Sequence, residues 1–335
     1  MPRCLSVLTL LAAAALSGCG FGSGGGSGEL TIYSGREQDL VGPLLDRYAK
    51  EEGVDIKVRY GTTPEIAATL AEEGDRSPAD VFLSQDAGAL GSLEAENRLE
   101  RLPAELLDRV DGRFRSSRGG WVGVSGRARV VAYDKRRVKE SELPRSVLGL
   151  TAPRWKGRVG WAPTNASFES FVTALRKTEG EAGAERWLRA MKDNDTEAYE
   201  SNVAIRDAVA KGEIEVGLIN HYYVAEARAE EGPDYPVGVY EPRGGDPGAL
   251  VNVAGAAVVA GSEHGKAARE FIKFLLSEQG QRYFADRTKE YPLSAGVRPE
   301  PGLLPLDSIE QPDVDLSDLA DLQGTIELLE RTGVL

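Results

Sequence analysis

Leu30-Thr31-Ile32-Tyr33-Ser34-Gly35-Arg36-Glu37 begins as an apolar strand pattern and ends in small, polar and charged residues, and residues 41–50 follow with the spacing of an amphipathic helix. Asp55-Ile56-Lys57-Val58-Arg59-Tyr60 then alternates as a second strand should. Two strands separated by one helix predict a parallel pair with a crossover, so the chain reads as α/β. The same alternation runs outward from there. A helix is expected over 64–73, where Pro64 suits a first turn, then a short buried strand at Asp80-Val81-Phe82-Leu83 and a helix over 87–97. A β-rich stretch spans 121–133. Beyond the Pro-, Arg- and Lys-rich segment 135–157, strands are expected at 158–161, 215–219, 236–240 and 252–260, with helices over 168–177, 182–192, 224–228, 266–277 and from 279. The tail after Arg298 is rich in Pro and Asp before a last helical pattern over 316–331, expected on the outside of the fold. The sheets are expected to be mixed and mostly parallel.

The first residues read as an address. Met1-Pro2-Arg3 is a minimal basic start, 5–16 carries no charge, and Leu16-Ser17-Gly18-Cys19 follows. The apolar run has the length of a signal-peptide core and is short for a membrane span. Residues 1–18 are therefore expected to be a signal peptide, with lipidation at Cys19 and a Gly/Ser tether over 19–28; an ordinary cleaved signal with an incidental cysteine is the alternative. Both place the protein outside the cytoplasm. Cys4 would be removed and Cys19 would carry lipid, so the folded body has no thiol left for catalysis or zinc.

The chain has 335 residues, enough for a large core and two lobes. Asp and Glu total 53 against 40 Lys and Arg, a net charge of −13. Such a field disfavours nucleic acid and anionic lipid, and does not oppose a cationic ligand.

Four strand-to-helix junctions carry polar or ionisable residues: Ser34-Gly35-Arg36-Glu37, Ser84-Gln85-Asp86, Thr164-Asn165-Ala166-Ser167 and Asn220-His221-Tyr222-Tyr223. Two precede the β-rich stretch and two follow it, so a crossover there would set them facing across one cleft. Helix capping explains some of these residues, but not an arginine, a glutamate and two phenols. Tyr222 and Tyr223 place two phenol oxygens where Gly217-Leu218-Ile219-Asn220 gives way to a helix, whose N-terminus favours an ionised oxygen. Paired phenolates are hard donors suited to a hard cation, ferric iron first; packing against a core is the competing reading.

On these residues the chain resembles the ferric-iron-binding periplasmic proteins of ABC importers, within the type II periplasmic binding proteins. The resemblance runs through Leu30-Thr31-Ile32-Tyr33-Ser34-Gly35-Arg36, Ser77-Pro78-Ala79-Asp80-Val81-Phe82, Trp121-Val122-Gly123-Val124-Ser125-Gly126-Arg127, Gly212-Glu213-Ile214, Leu218-Ile219-Asn220-His221-Tyr222-Tyr223, Asp246-Pro247-Gly248-Ala249-Leu250 and Glu290-Tyr291-Pro292-Leu293. It implies a two-lobed fold with hinge crossover strands near 126–129 and 251–253. One lobe is expected from 29–126 with 253–300, and the other from 127–252 with 301–335.

The same resemblance implies that Tyr222 and Tyr223 bind Fe³⁺. Glu37 is a possible further ligand, standing where many members have histidine; a solvated acid at a helix start is the alternative. Two phenolates and a carboxylate supply three of roughly six donors. Carbonate or phosphate is then implied as a synergistic anion, cradled by Arg36, Gln85, Asn165, Ala166, Ser167, Asn202, Asn220 and Arg127. A permease partner, membrane attachment through Cys19 and a monomer are expected.

Two other classes remain open on the residues. One is a binding protein of this fold for a small organic solute or oxyanion, such as a polyamine or phosphonate, with the tyrosines stacking. The other is a secreted hydrolase, against which stand the absence of a Gly-x-Ser-x-Gly elbow and of His-Glu-x-x-His, and only His221 and His264 as histidines.

Overall fold

The computed structural model describes residues 28–335. The expected signal segment, Cys19 and all of the expected tether but Gly28 lie outside the described residues. The first half comprises β1 (Glu29–Ser34), α1 (Gln38–Glu52), β2 (Asp55–Tyr60), α2 (Thr63–Glu73), β3 (Val81–Ser84), α3 (Ala87–Ala95), α4 (Ala104–Leu107) and β4 (Val122–Asp134). Then come β5 (Val159–Trp161), α5 (Ala166–Asp193), β6 (Glu197–Ala198), α6 (Asn202–Lys211), β7 (Val216–Asn220), α7 (Tyr222–Glu231), β8 (Val237–Tyr240), β9 (Val251–Val258), α8 (Gly265–Leu275), α9 (Glu278–Arg287), β10 (Tyr291–Pro292) and α10 (Leu322–Thr332).

The strands order as β2-β1-β3-β9-β4-β7-β5-β6, with β8 and β10 also on β4. Among the described residues, four pairings are parallel and five antiparallel, which corrects the expectation of mostly parallel sheets. The cause is the long strand β4. Its first part pairs antiparallel with β9 (Val122↔Ala256 to Ala128↔Val251), and its second part pairs antiparallel with β7 (Arg129↔Asn220 to Tyr133↔Val216) and β8. The parallel pairs remain on either side, β1 with β2 and β3, and β5 with β6 and β7. The change of partner falls between Ala128 and Arg129, where β9 also begins. Arg129 N–H donates to Leu250 O and His221 N–H to Ala128 O, both near 3 Å.

Local chemistry explains most element ends. Thr62 and Glu65 form a reciprocal capping box before α2, and Pro64 occupies the first turn. Gly53 closes α1 in the left-handed region at φ 65°, a conformation costly for residues with a Cβ. The two expected helices over 168–177 and 182–192 are the two parts of α5, joined through Gly180 at φ 73°. Helix α6 was not expected from the sequence. Its signals are the Ser201 cap and the buried Ile205, Ala208 and Val209 at helical spacing.

A second core gathers around the end of β4. Trp161, Phe168, Phe171 and Trp187 pack edge-on or tilted with ring centroids 5.6 to 6.2 Å apart, which fixes the start of α5. Helix α10 packs on α5 and completes this core: Leu328 and Leu329 are fully buried, so it is less external than its sequence suggested. Burying each leucine contributes roughly 2–3 kcal/mol. The turn Leu316–Ala320 lies against α3 instead, close enough that a Cβ on Gly91 would meet Ser317 O at 2.5 Å. The tail therefore touches elements on both sides of the crossover.

Candidate metal centre

All four polar junctions open on one cleft of about 1000 Å³. It is lined by Gly35, Arg36 and Glu37 after β1, Gln85 and Asp86 after β3, Asn165 and Ala166 after β5, and Tyr222 and Tyr223 after β7. The strands end here because each hands over to a helix at the same edge of the sheet, where α/β folds collect ligands.

Tyr222 and Tyr223 are the first two residues of α7, which starts two residues earlier than the expected helix start at 224. Both are half-buried, with ring centroids 4.2 Å apart and planes inclined by 35°. Burial, and then the neighbouring Tyr223 phenol, hold the Tyr222 pKa well above 10, while the Arg127 guanidinium opposes them. A phenol in this position gives up its proton only in exchange for another positive charge.

His221 does not join them in the cleft. Its Nδ1 accepts from Ala128 N–H at 3.1 Å, so Nε2 carries the proton and donates to Lys289 O at 3.1 Å. The ring is fully buried and tilts against Tyr291 at 4.6 Å between centroids. Burial lowers its pKa to about 4, so it is neutral at pH 7.

Behind the phenols stands Arg129, buried in β4. Its guanidinium donates to Leu218 O at 3.0 Å, Asn220 Oδ1 at 3.3 Å and Ser167 Oγ at 3.1 Å, and none of these partners is a carboxylate. Burial pulls its pKa down to about 10, and the phenols of Tyr223 and Tyr222 push it back up. A buried cation without a carboxylate lowers the cost of negative charge nearby, and the nearest groups able to acquire one are the two phenols.

The opposite wall is built on Arg36. This side chain is 1 % exposed, and its Nη1 bonds both oxygens of Glu290 at 3.0 and 3.1 Å. Burial would raise the Glu290 pKa, but Arg36, Arg127 and the Ser125 hydroxyl hold it below the usual carboxylate range. Nε and Nη2 of Arg36, Nε of Arg127 and Oε1 of Gln85 are buried without a hydrogen-bond partner among the described residues. Arg127 reaches across from β4 and donates Nη2 to Gln85 O. The three unpaired arginine nitrogens among these are donors and suit an oxyanion, whereas Gln85 Oε1 can only accept.

At the start of α5, Asn165 Oδ1 accepts from Ser167 N–H (3.0 Å), Ser167 Oγ (2.6 Å) and Asn202 Nδ2 (3.0 Å). Of the residues singled out from the sequence, Arg36, Glu37, Gln85, Asn165, Ala166, Tyr222 and Tyr223 line the cleft. Ser167, Asn202, Asn220 and Arg127 stand one layer back, holding the lining residues in place. Glu37 is exposed at the start of α1 and caps no backbone N–H.

Sequence reasoning gave no role to Arg129, Glu226 or Glu290. For Arg129 a signal existed: Arg127 and Arg129 lie two apart on one face of a strand whose other residues before Tyr133 are small or apolar, a placement arginine avoids without a reason. Among the described residues no three His, Cys, Asp or Glu side chains come together to hold a metal, so a metal here would depend on the phenols.

Residues 76–311 match the family model of the bacterial extracellular solute-binding proteins. The chain is 36% identical over 309 residues to the major ferric iron-binding protein of Neisseria meningitidis serogroup B, covering 91% of this chain and 93% of that one. It is 33% identical over 333 residues to the Fe(3+)-binding periplasmic protein of Serratia marcescens, covering 99% and 98%. Iron-bound HitA from Pseudomonas aeruginosa superposes with a TM-score of 0.84 at 33% identity, over 91% of this chain and 99% of that one. FutA from Trichodesmium, in complex with iron and citrate, gives 0.81 at 29% identity over 91% and 99%.

Proposed function

The chain belongs to the bacterial extracellular solute-binding proteins and has their two-lobed type II periplasmic binding fold, and from that premise we propose that it captures ferric iron outside the cytoplasm for an ABC importer. The observation that carries this reading is the pair of adjacent phenols at the start of α7, turned into a polar cleft beside a buried arginine, Arg129, that has no carboxylate partner among the described residues.

Iron is the cargo. Tyr222 and Tyr223 bind it as phenolates, with Glu37 as a further ligand from the other wall. The remaining positions take carbonate or phosphate, held by Arg36, Gln85, the start of α5 at Asn165, Ala166 and Ser167, and by Arg127, Asn202 and Asn220 from behind. Residues 29–126 with 253–300 form one lobe and 127–252 with 301–335 the other. They close about the partner change at Ala128 and Arg129 on β4 and the start of β9. A monomer tethered through lipidated Cys19 then presents the closed, loaded form to a permease.

Ferric citrate titrated into the purified mature protein should produce a visible phenolate-to-iron charge-transfer band, absent from Tyr222→Phe/Tyr223→Phe. A colourless complex, or a double variant that binds iron as tightly as wild type, would overturn the reading. Stacking of the rings on an organic solute gives no such band.

A further inference from the structure

Among the described residues, five carboxylates line the cleft: Glu37, Glu65, Asp86, Glu226 and Glu290. Three are committed. Glu65 accepts from Thr62 N–H at 2.9 Å, Asp86 from Ala89 N–H at 3.2 Å, and Glu290 from Arg36 and Ser125. Glu226 has neither a hydrogen bond nor an ion pair among the described residues, yet it is half-buried. It lies four residues after Tyr222 and three after Tyr223 on α7, so all three share one face of the helix. Burial raises its pKa, Arg206 and Lys289 oppose that rise, and the carboxylates of Glu290 and Glu230 add to it. The cleft it faces also holds a nearly fully buried arginine, Arg36, with two donor nitrogens unpartnered.

We propose that Glu226 adds a negative charge to the hold on the captured ion from the same helix as the phenols, and so favours trivalent over divalent cations. An uncommitted carboxylate kept part-buried beside two phenols gains most from a highly charged neighbour. Coulomb attraction grows in proportion to the ion's charge, so loss of this group weakens a trivalent ion more than a divalent one. The proposal rests on the phenolate reading.

The test compares wild type, Glu226→Gln and Glu226→Asp in the mature protein, with gallium(III), supplied as its citrate complex, and zinc(II) as probes. Glu226→Gln should lower gallium affinity about tenfold and zinc affinity by a smaller factor, about fivefold, following the ratio of charges. Glu226→Asp should recover most of the loss, and the ferric charge-transfer band should survive in both variants because the phenols are intact. Unchanged affinities, or an equal fall for both ions, would sink the role of Glu226 while leaving the phenolate reading standing. A wild-type protein without the ferric band would defeat both.

Discussion

Nη1 of Arg129 lies 3.3 Å from Oδ1 of Asn220, the last residue of β7 and two residues before Tyr222. The same nitrogen reaches Ser167 Oγ at 3.1 Å, and Nη2 takes Leu218 O at 3.0 Å. One guanidinium thus ties the point where β4 changes partners to the two junctions that deliver the phenols and the start of α5. It fixes geometry and supplies charge at once.

Replacing Arg129 separates these two effects. Arg129→Met removes the charge and all three hydrogen bonds, and iron affinity is expected to fall at least tenfold, about 1.4 kcal/mol. Arg129→Lys keeps the charge but not the fork, and should fall less. Competition titrations against citrate report both, and equal affinity in wild type and Arg129→Met would remove Arg129 from the site.

On the proposed phenolate site, Tyr222 sets the pH dependence of capture. Its pKa stands well above 10 in the iron-free protein because of burial and the neighbouring Tyr223 phenol, with Arg127 opposing, so the hydroxyl is protonated at neutral pH. Binding as phenolate releases that proton, and affinity must therefore rise with pH, by about tenfold per pH unit for each proton released. Iron titrations at pH 6, 7 and 8, with proton release followed in weak buffer, check the slope. A flat profile would mean that the phenol stays protonated and does not ligate.

Much of this site could be read from the order of residues. The four junctions and the tyrosine pair are contiguous segments, and strand followed by helix already predicts that they share one edge. The roles of Arg129 and Glu290 were less legible because each depends on a contact far along the chain: Glu290 meets Arg36 across 254 positions, and Arg129 meets Asn220 across 91. The sheet direction was misjudged for a similar reason. A single 13-residue strand reads as one element, while its two parts serve different partners. Helix α6 is a weaker signal: ten residues behind a Ser201 cap, with only Ile205, Ala208 and Val209 as buried apolar positions.

His221 links stability to pH in the iron-free protein. Burial lowers its folded-state pKa to about 4, against an unperturbed value near 6.5. Below about pH 6.5 the unfolded chain takes up a proton that the folded chain refuses, so stability falls as pH drops from 6.5 towards 4 and is independent of this group above that window. The full loss is about 3 kcal/mol. Urea unfolding at several pH values should show the fall, and His221→Gln should flatten that part of the curve; an unchanged slope in the variant would assign it to other groups.

The pair of Arg36 and Glu290 makes the sharpest stability prediction, because both members are almost fully buried, at 1 % and 3 % exposure. Two charges withdrawn from water are costly, and their attraction offsets that cost only while both are present. Glu290→Gln leaves the Arg36 cation in place and strips its partner, so it should destabilise the fold by about 3–5 kcal/mol. Arg36→Met with Glu290→Gln removes the stranded charge and should recover part of that loss. Urea unfolding of the two single variants and the double variant gives the coupling directly. Additive effects would show that the residues act independently despite the 3.0 Å contact. Coupling in stability together with a loss of iron affinity in Arg36→Met alone would separate Arg36's bond to Glu290 from the two nitrogens, Nε and Nη2, that it leaves free in the cleft wall.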